Sequence, residues 1–191
     1  MKKTAALLAV LFLAPTLAHA HTGVGLTHGF SHGFEHPLFG LDHLLAMVAV
    51  GLWAAQIGGR ALWAVPLTFV SVMALGGALG VAGVPVPFVE PGIATSVLLL
   101  GLFIALAVRM PLAFSIPIVA LFAVCHGHAH GAEMPSNASG IMYATGFMIA
   151  TALLHGCGIG LGVGIQRQIA APALRAAGAA IAVAGVTLFF S

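Results

Sequence analysis

Histidine and carboxylate are the side chains of this sequence best suited to chemistry, and they gather in two short runs. The first is His36-Pro37-Leu38-Phe39-Gly40-Leu41-Asp42-His43. On one continuous helix, the spacing of His36 and His43 places them on a shared face about two turns apart, with Met47 a further turn along. Asp42 could ligate a metal directly, or orient an imidazole from behind. Pro37 suits the first position of that helix, where its missing N–H costs nothing. The second run is Cys125-His126-Gly127-His128-Ala129-His130-Gly131-Ala132-Glu133. His126 and His130 stand at i and i+4, and Glu133 follows at i+3, so all three share one helical face. His128 points about 200° away from His126 at the helical period, toward a pore or the surface. Imidazole with carboxylate is a donor set for a divalent first-row metal. Each run also has a plainer reading: interfacial histidines beside a helix-start aspartate, and a His-rich loop that gathers metal loosely.

The remaining polar residues carry weaker signals. His21, His28 and His32 read as a metal-collecting arm rather than a fixed site. Glu90 could line an entrance, or simply suit the start of a helix. His155 falls roughly 24 Å along its helix from Ser139 at 1.5 Å per residue. It is either a relay ligand near an inner exit or a donor to a carbonyl on a neighbouring helix. Cys125 and Cys157 are expected at different depths, too far apart for a disulfide; either could be a soft ligand, but they read first as packing residues.

The elements that must position these groups follow from composition. Of 191 residues, 61% are hydrophobic and 5% charged, against about 25% charged in a soluble domain. The bilayer is the solvent that accommodates this, and backbone groups within it must pair internally. The alternation of a membrane barrel is absent, leaving an all-α, polytopic membrane helical bundle. A net charge of +2 offers no basic stripe for nucleic acid. No G-x-x-x-x-G-K-[ST] phosphate loop is present, which argues against ATP hydrolysis.

Lys2 and Lys3, the apolar run Ala5 to Leu13, Pro15 and the A-x-A sequence Ala18-His19-Ala20 form the three-part pattern of a cleaved signal peptide, residues 1–20. The alternative is an uncleaved anchor helix. A periplasmic His-rich segment, 21–36, and a transmembrane domain, 37–191, are expected after it. Breaks at Gly58-Gly59-Arg60, Gly83 to Pro91, Met110-Pro111, Pro135 to Gly140 and Gln166 to Pro172 divide that domain into six spans. These are roughly 37–57, 61–82, 91–109, 111–131, 139–163 and 171–190. Pro111 and Pro117 both interrupt the fourth. Arg60, Arg109, Arg167 and Arg175 fall in or beside the odd-numbered connections. The positive-inside rule therefore places those loops in the cytoplasm and both mature termini outside. An exported N-terminus demands the same orientation. The expected location is a bacterial cytoplasmic membrane. Trp53 and Trp63 read as interfacial anchors, and Gly76 to Gly80 with Gly156 to Gly164 as faces for close helix packing.

The two His-containing runs resemble motifs of the HupE/UreJ family of bacterial nickel and cobalt permeases. His36, Pro37, Gly40, Asp42 and His43 match H-P-x-x-G-x-D-H, while His126, Gly127, Ala129, His130, Gly131 and Glu133 match H-G-x-A-H-G-x-E. The family layout of an export signal and six spans is similar along the whole chain. Cys125, where an aromatic residue is frequent, and the additional His128 depart from the pattern. The resemblance implies nickel or cobalt as cargo, with no prosthetic group, destined for hydrogenase, urease or cobalamin-dependent enzymes. The motif residues His36, Asp42, His43, His126, His130 and Glu133 are the expected metal contacts; read from the residues alone and not from the resemblance, His128, His155, Met47 and Glu90 are further candidate positions on the path. The partners expected are the ion and the lipid bilayer, and a homo-oligomer stays open. Two other readings remain: a membrane metal sensor or chaperone that binds without transport, and an intramembrane metalloenzyme. The H-E-x-x-H order of zinc peptidases, which would favour the last, is absent.

Overall fold

A computed structural model describes residues 29–134, 139–168 and 171–190. The signal-peptide expectation, together with His21 and His28, lies outside the described residues. Those described form seven helices: α1 (Gly29–Phe39), α2 (Leu41–Ile57), α3 (Ala61–Val81), α4 (Val89–Ala105), α5 (Leu112–Ala132), α6 (Gly140–Gln168) and α7 (Ala171–Thr187). Helices α2 to α7 occupy the positions expected for the six spans. Each boundary has a local cause. Gly58 and Gly59 adopt positive φ between α2 and α3, and Gly83 does so after α3. Pro111 caps the start of α5, whereas Pro117 is accommodated inside it.

The first expected span begins differently from the sequence reading. Pro37 is not at a helix start; it lies within α1, near its end. The chain breaks at Gly40 and turns by 78° into α2. His36 and His43 consequently stand on two helices rather than one face of a single helix. Gly40 also makes room at the turn, because a Cβ there would lie 3.0 Å from Asp42 Oδ1 and 3.3 Å from His43 Nδ1.

Among the described residues, α3, α5 and α6 are long and apolar enough to cross a membrane, and α1 with α2 adds a fourth crossing if the bent pair is one broken span. Helices α4 and α7 are apolar but shorter; the 17 residues of α4 reach about 25 Å, near the lower limit for a hydrocarbon core of about 30 Å. Leu67, Leu75, Phe114, Leu121 and Leu153 are exposed on the outside of the bundle. An apolar exterior of this kind is what a lipid-facing surface requires.

Helix α2 lies at the centre. It packs on α3, α4, α6 and α7, and every residue from Ala49 to Gln56 is buried. Around it α3 pairs with α5, α4 with α7, and α1 with α6. The pairs close on small residues, as the Gly76–Gly80 segment suggested. A Cβ at Gly127 would run into the Met73 carbonyl, and one at Gly158 into the Val48 carbonyl. Of the second small-residue run, Gly158 and Gly162 pack against α2, while Gly156, Gly160 and Gly164 face open space.

The two ends of the bundle differ in chemistry. At one end Arg175 Nε donates to the Ala105 carbonyl (2.8 Å), Gln56 Nε2 to Ile104 (3.1 Å) and Trp53 Nε1 to Val108 (3.0 Å). Trp53 is fully buried and is therefore not the interfacial anchor expected from sequence; its indole N–H is satisfied inside the protein. Trp63 is exposed, with the Arg60 guanidinium 5.8 Å from its ring centroid. The opposite end carries the histidines.

Candidate metal centre

The break at Gly40 and the close α3–α5 and α1–α6 contacts bring the two sequence motifs together. His36 comes from α1, His43 from α2, and His126 and His130 from successive turns of α5. Their rings pack edge to face. Centroid separations are 4.5 Å for His36–His130, 4.2 Å for His43–His130, 4.9 Å for His43–His126 and 6.1 Å for His36–His43. Burial increases along the group. His36 and Glu133, at the mouth, are partly exposed and lie 3.3 Å apart through Nε2 and Oε2. His43 is 6% exposed, His130 2% and His126 0%.

Hydrogen bonding orients two of these rings. Asp42 Oδ1 lies 2.8 Å from His43 Nδ1. An ionised carboxylate only accepts, so Nδ1 carries the proton and Nε2 keeps its lone pair. Nε2 is also the atom of His43 that has no hydrogen-bond partner. On α4, Ser96 Oγ donates its single proton to the Ile93 carbonyl (2.7 Å) and lies 2.9 Å from His126 Nε2. The hydroxyl must then accept from Nε2–H, which leaves the lone pair on Nδ1. Among the described residues, Nδ1 of His126 is again without a partner, as are both ring nitrogens of His130. Buried polar atoms left unpaired cost about 1–3 kcal/mol each. Several neutral imidazoles with unshared lone pairs, gathered in one place, form a donor set suited to a transition-metal cation.

The donors are gathered but not drawn into a cage. Among the described residues, no three or more His, Cys, Asp or Glu side chains form a group that could hold a metal ion. Asp42 turns its carboxylate to His43 rather than standing as an independent donor.

Several positions singled out from sequence fall elsewhere. His128 leaves the cluster and its Nε2–H donates to the Val84 carbonyl at 2.9 Å, tying α5 to the segment after α3. Glu90 is exposed in the first turn of α4. Met47 is fully buried in the hydrophobic core, one turn along α2 from His43. His155, on α6, is 1% exposed, and neither ring nitrogen has a partner. Both cysteines are free thiols; Cys125 is buried as a packing residue would be, whereas Cys157 is exposed and is not one. Cys125 packs with Ile93 and Ala129 in a small cluster of its own.

The structure adds residues that no motif announced. Ser96 orients His126. Phe147 lies against His130 with centroids 3.7 Å apart, and Phe69 lies 5.6 Å from His126. Tyr143 is 6.4 Å from His36 by ring centroids, and its buried hydroxyl has no partner. A groove of about 310 Å³ opens beside His130 between α3, α5 and α6, lined by Met73, Gly77, Gly131, Tyr143 and Phe147 among others.

With this geometry in place, comparison with known proteins decides the family. The chain matches the HupE/UreJ protein family over residues 8–188. It belongs to the HupE/UreJ family. It is 46% identical over 177 residues to Protein HupE of Rhizobium leguminosarum bv. viciae, an alignment covering 91% of each chain. No solved structure matches. The family assignment agrees with the resemblance carried by the two motifs, and the residues of those motifs are the ones that meet at the histidine end of the bundle.

Proposed function

We propose that this HupE/UreJ protein is a permease that carries nickel or cobalt across a bacterial cytoplasmic membrane. The family is linked to nickel and cobalt uptake in general. The observation that carries the reading for this chain is the four-imidazole group, with lone pairs left unshared on His43 Nε2, His126 Nδ1 and His130. Stability alone would not favour such a group. Small rotations of the edge-to-face rings would let an ion pass from one pair of donors to the next.

In this reading the six sequence spans cross the bilayer, the arginine end faces the cytoplasm, and both mature termini lie outside. His36 and Glu133 receive the hydrated cation at the mouth. His43, held by Asp42, and His126, held by Ser96, replace water as the ion descends past His130. Selectivity arises from the number and placement of imidazoles, since raw affinity would favour copper.

Uptake of radioactive nickel and cobalt by cells expressing the chain tests the proposal. Saturable uptake is expected, and it should be abolished by His130→Ala with membrane insertion retained. Metal binding without uptake in the unaltered protein would overturn the permease reading in favour of a sensor or chaperone.

A further inference from the structure

Beside His126, the most deeply buried of the four imidazoles, lies a phenyl ring. Phe69, on α3, is completely buried. Its ring centroid lies 5.6 Å from that of His126 and 5.2 Å from that of His155, so one phenyl ring neighbours both imidazoles. Two helices independently place His155 at a deeper level. On α6, His155 follows Phe147, the residue against His130, by eight positions. On α2, Gly51 follows His43 by eight positions, and a Cβ at Gly51 would strike the His155 carbonyl. Each interval is about 12 Å of helix. His126, one turn from His130 toward the arginine end, occupies the level between.

His155 has the signature of a ligand rather than of a packing residue. It is 1% exposed, and neither ring nitrogen has a hydrogen-bond partner among the described residues. The thioether of Met73, one turn from Phe69 on α3, accepts from Thr151 Oγ1 at 3.8 Å, and Thr151 is one turn before His155 on α6. A soft sulfur and a neutral imidazole therefore flank the same α3–α6 seam.

We propose that Phe69 is a gate between two metal stations, the four-imidazole group outside it and an inner station at His155. This rests on the transport reading above. A phenyl ring offers no lone pair, so an ion leaving His126 has no ligand until the ring moves aside and His155 becomes reachable. With the ring in place the constriction is apolar and excludes water, which blocks hydrated cations and protons. Its face still attracts a desolvated cation from either side. Selectivity would then require both stations, because an ion must exchange water for imidazole before it can pass.

The test uses the purified full chain reconstituted in sealed liposomes, with nickel chloride as probe. Inward flux, equilibrium nickel binding and thermal unfolding are measured for wild type, His155→Leu, Phe69→Ala and Phe69→Leu. In His155→Leu, flux is expected to fall by at least about tenfold. Nickel binding to the outer group should persist, and thermal stability should hold or rise, because an unpaired buried imidazole has been removed. A merely structural histidine would instead lower stability and binding together. Phe69→Ala should keep nickel binding and admit magnesium or protons that wild type excludes; Phe69→Leu, which preserves more packing, should show the same leak to a smaller degree. Wild-type flux in His155→Leu, or unaltered exclusion of magnesium and protons in both folded Phe69 variants, would overturn the gate while leaving transport intact. Loss of nickel binding in step with flux in His155→Leu would also overturn it. Absence of nickel flux in the wild type would instead overturn the transport reading, and the gate with it.

Discussion

At the scale of single residues, function depends on which nitrogen of each ring is left available. Asp42 holds the proton of His43 on Nδ1, and Ser96 holds that of His126 on Nε2. Removal of such a partner typically costs 10–100-fold in metal affinity. Asp42→Asn is therefore expected to weaken nickel binding by about that factor, and Ser96→Ala by about tenfold, measured by nickel titration of the purified protein. Affinities equal to wild type in both variants would show that the rings need no orientation. His128→Ala gives the contrasting expectation. Its imidazole bonds the Val84 carbonyl and lies off the cluster, so nickel affinity should be unchanged, whereas a drop would place His128 on the path. The clustered histidines were legible in the sequence because imidazoles are conspicuous in an apolar chain. Ser96, Phe69, Tyr143 and Phe147 were not, since a serine or an aromatic residue on an apolar helix gives no local sign of what it will face.

At the scale of elements, the site depends on how closely the helices approach. His126 and His130 are presented by α5, and Gly127, next to His126 in sequence, packs onto the Met73 carbonyl of α3. Gly127→Ala has to part the two helices. It is expected to destabilise the protein by about 1–3 kcal/mol, the usual cost of overpacking, and to weaken nickel binding by displacing both rings. Gly156→Ala, where a Cβ would meet nothing within 4 Å, should be neutral in both measurements. Equal thermal unfolding of these two variants would contradict the packing account. The helices themselves were readable from glycine, proline and arginine breaks between apolar runs. The turn at Gly40 was not. A proline beside an apolar run suits a helix start, but here the residues before it have α6 to pack on: Gly33 approaches the Tyr143 carbonyl and Gly146 the Phe30 carbonyl. That contact makes a helix of 29–39 and carries His36 in from the side. Trp53 was misread for a similar reason. Near a span end a tryptophan suits the lipid interface, yet its N–H finds the Val108 carbonyl, in the segment just after α4, which only tertiary packing supplies.

At the scale of the whole molecule, the bundle is polarised, with imidazoles and carboxylates at one end and arginines at the other. Paired with the positive-inside rule, the proposed permease would carry its ion from the histidine end to the arginine end. A single cysteine placed at exposed Ala132, in a background with Cys125 and Cys157 replaced by serine, should react with a membrane-impermeant maleimide added outside intact spheroplasts; one placed at Gly59 should not. The reverse pattern would invert the topology. Charge asymmetry and motif position were both legible from sequence, because they need only a count along the chain. The descending order from Glu133 and His36 through His43, His130 and His126 to His155 needed the fold. The most direct test of the central claim is nickel flux into sealed liposomes containing only this purified protein. The account predicts saturable accumulation of nickel in the lumen, lost in His130→Ala. Nickel bound to the protein with none delivered to the lumen would contradict it.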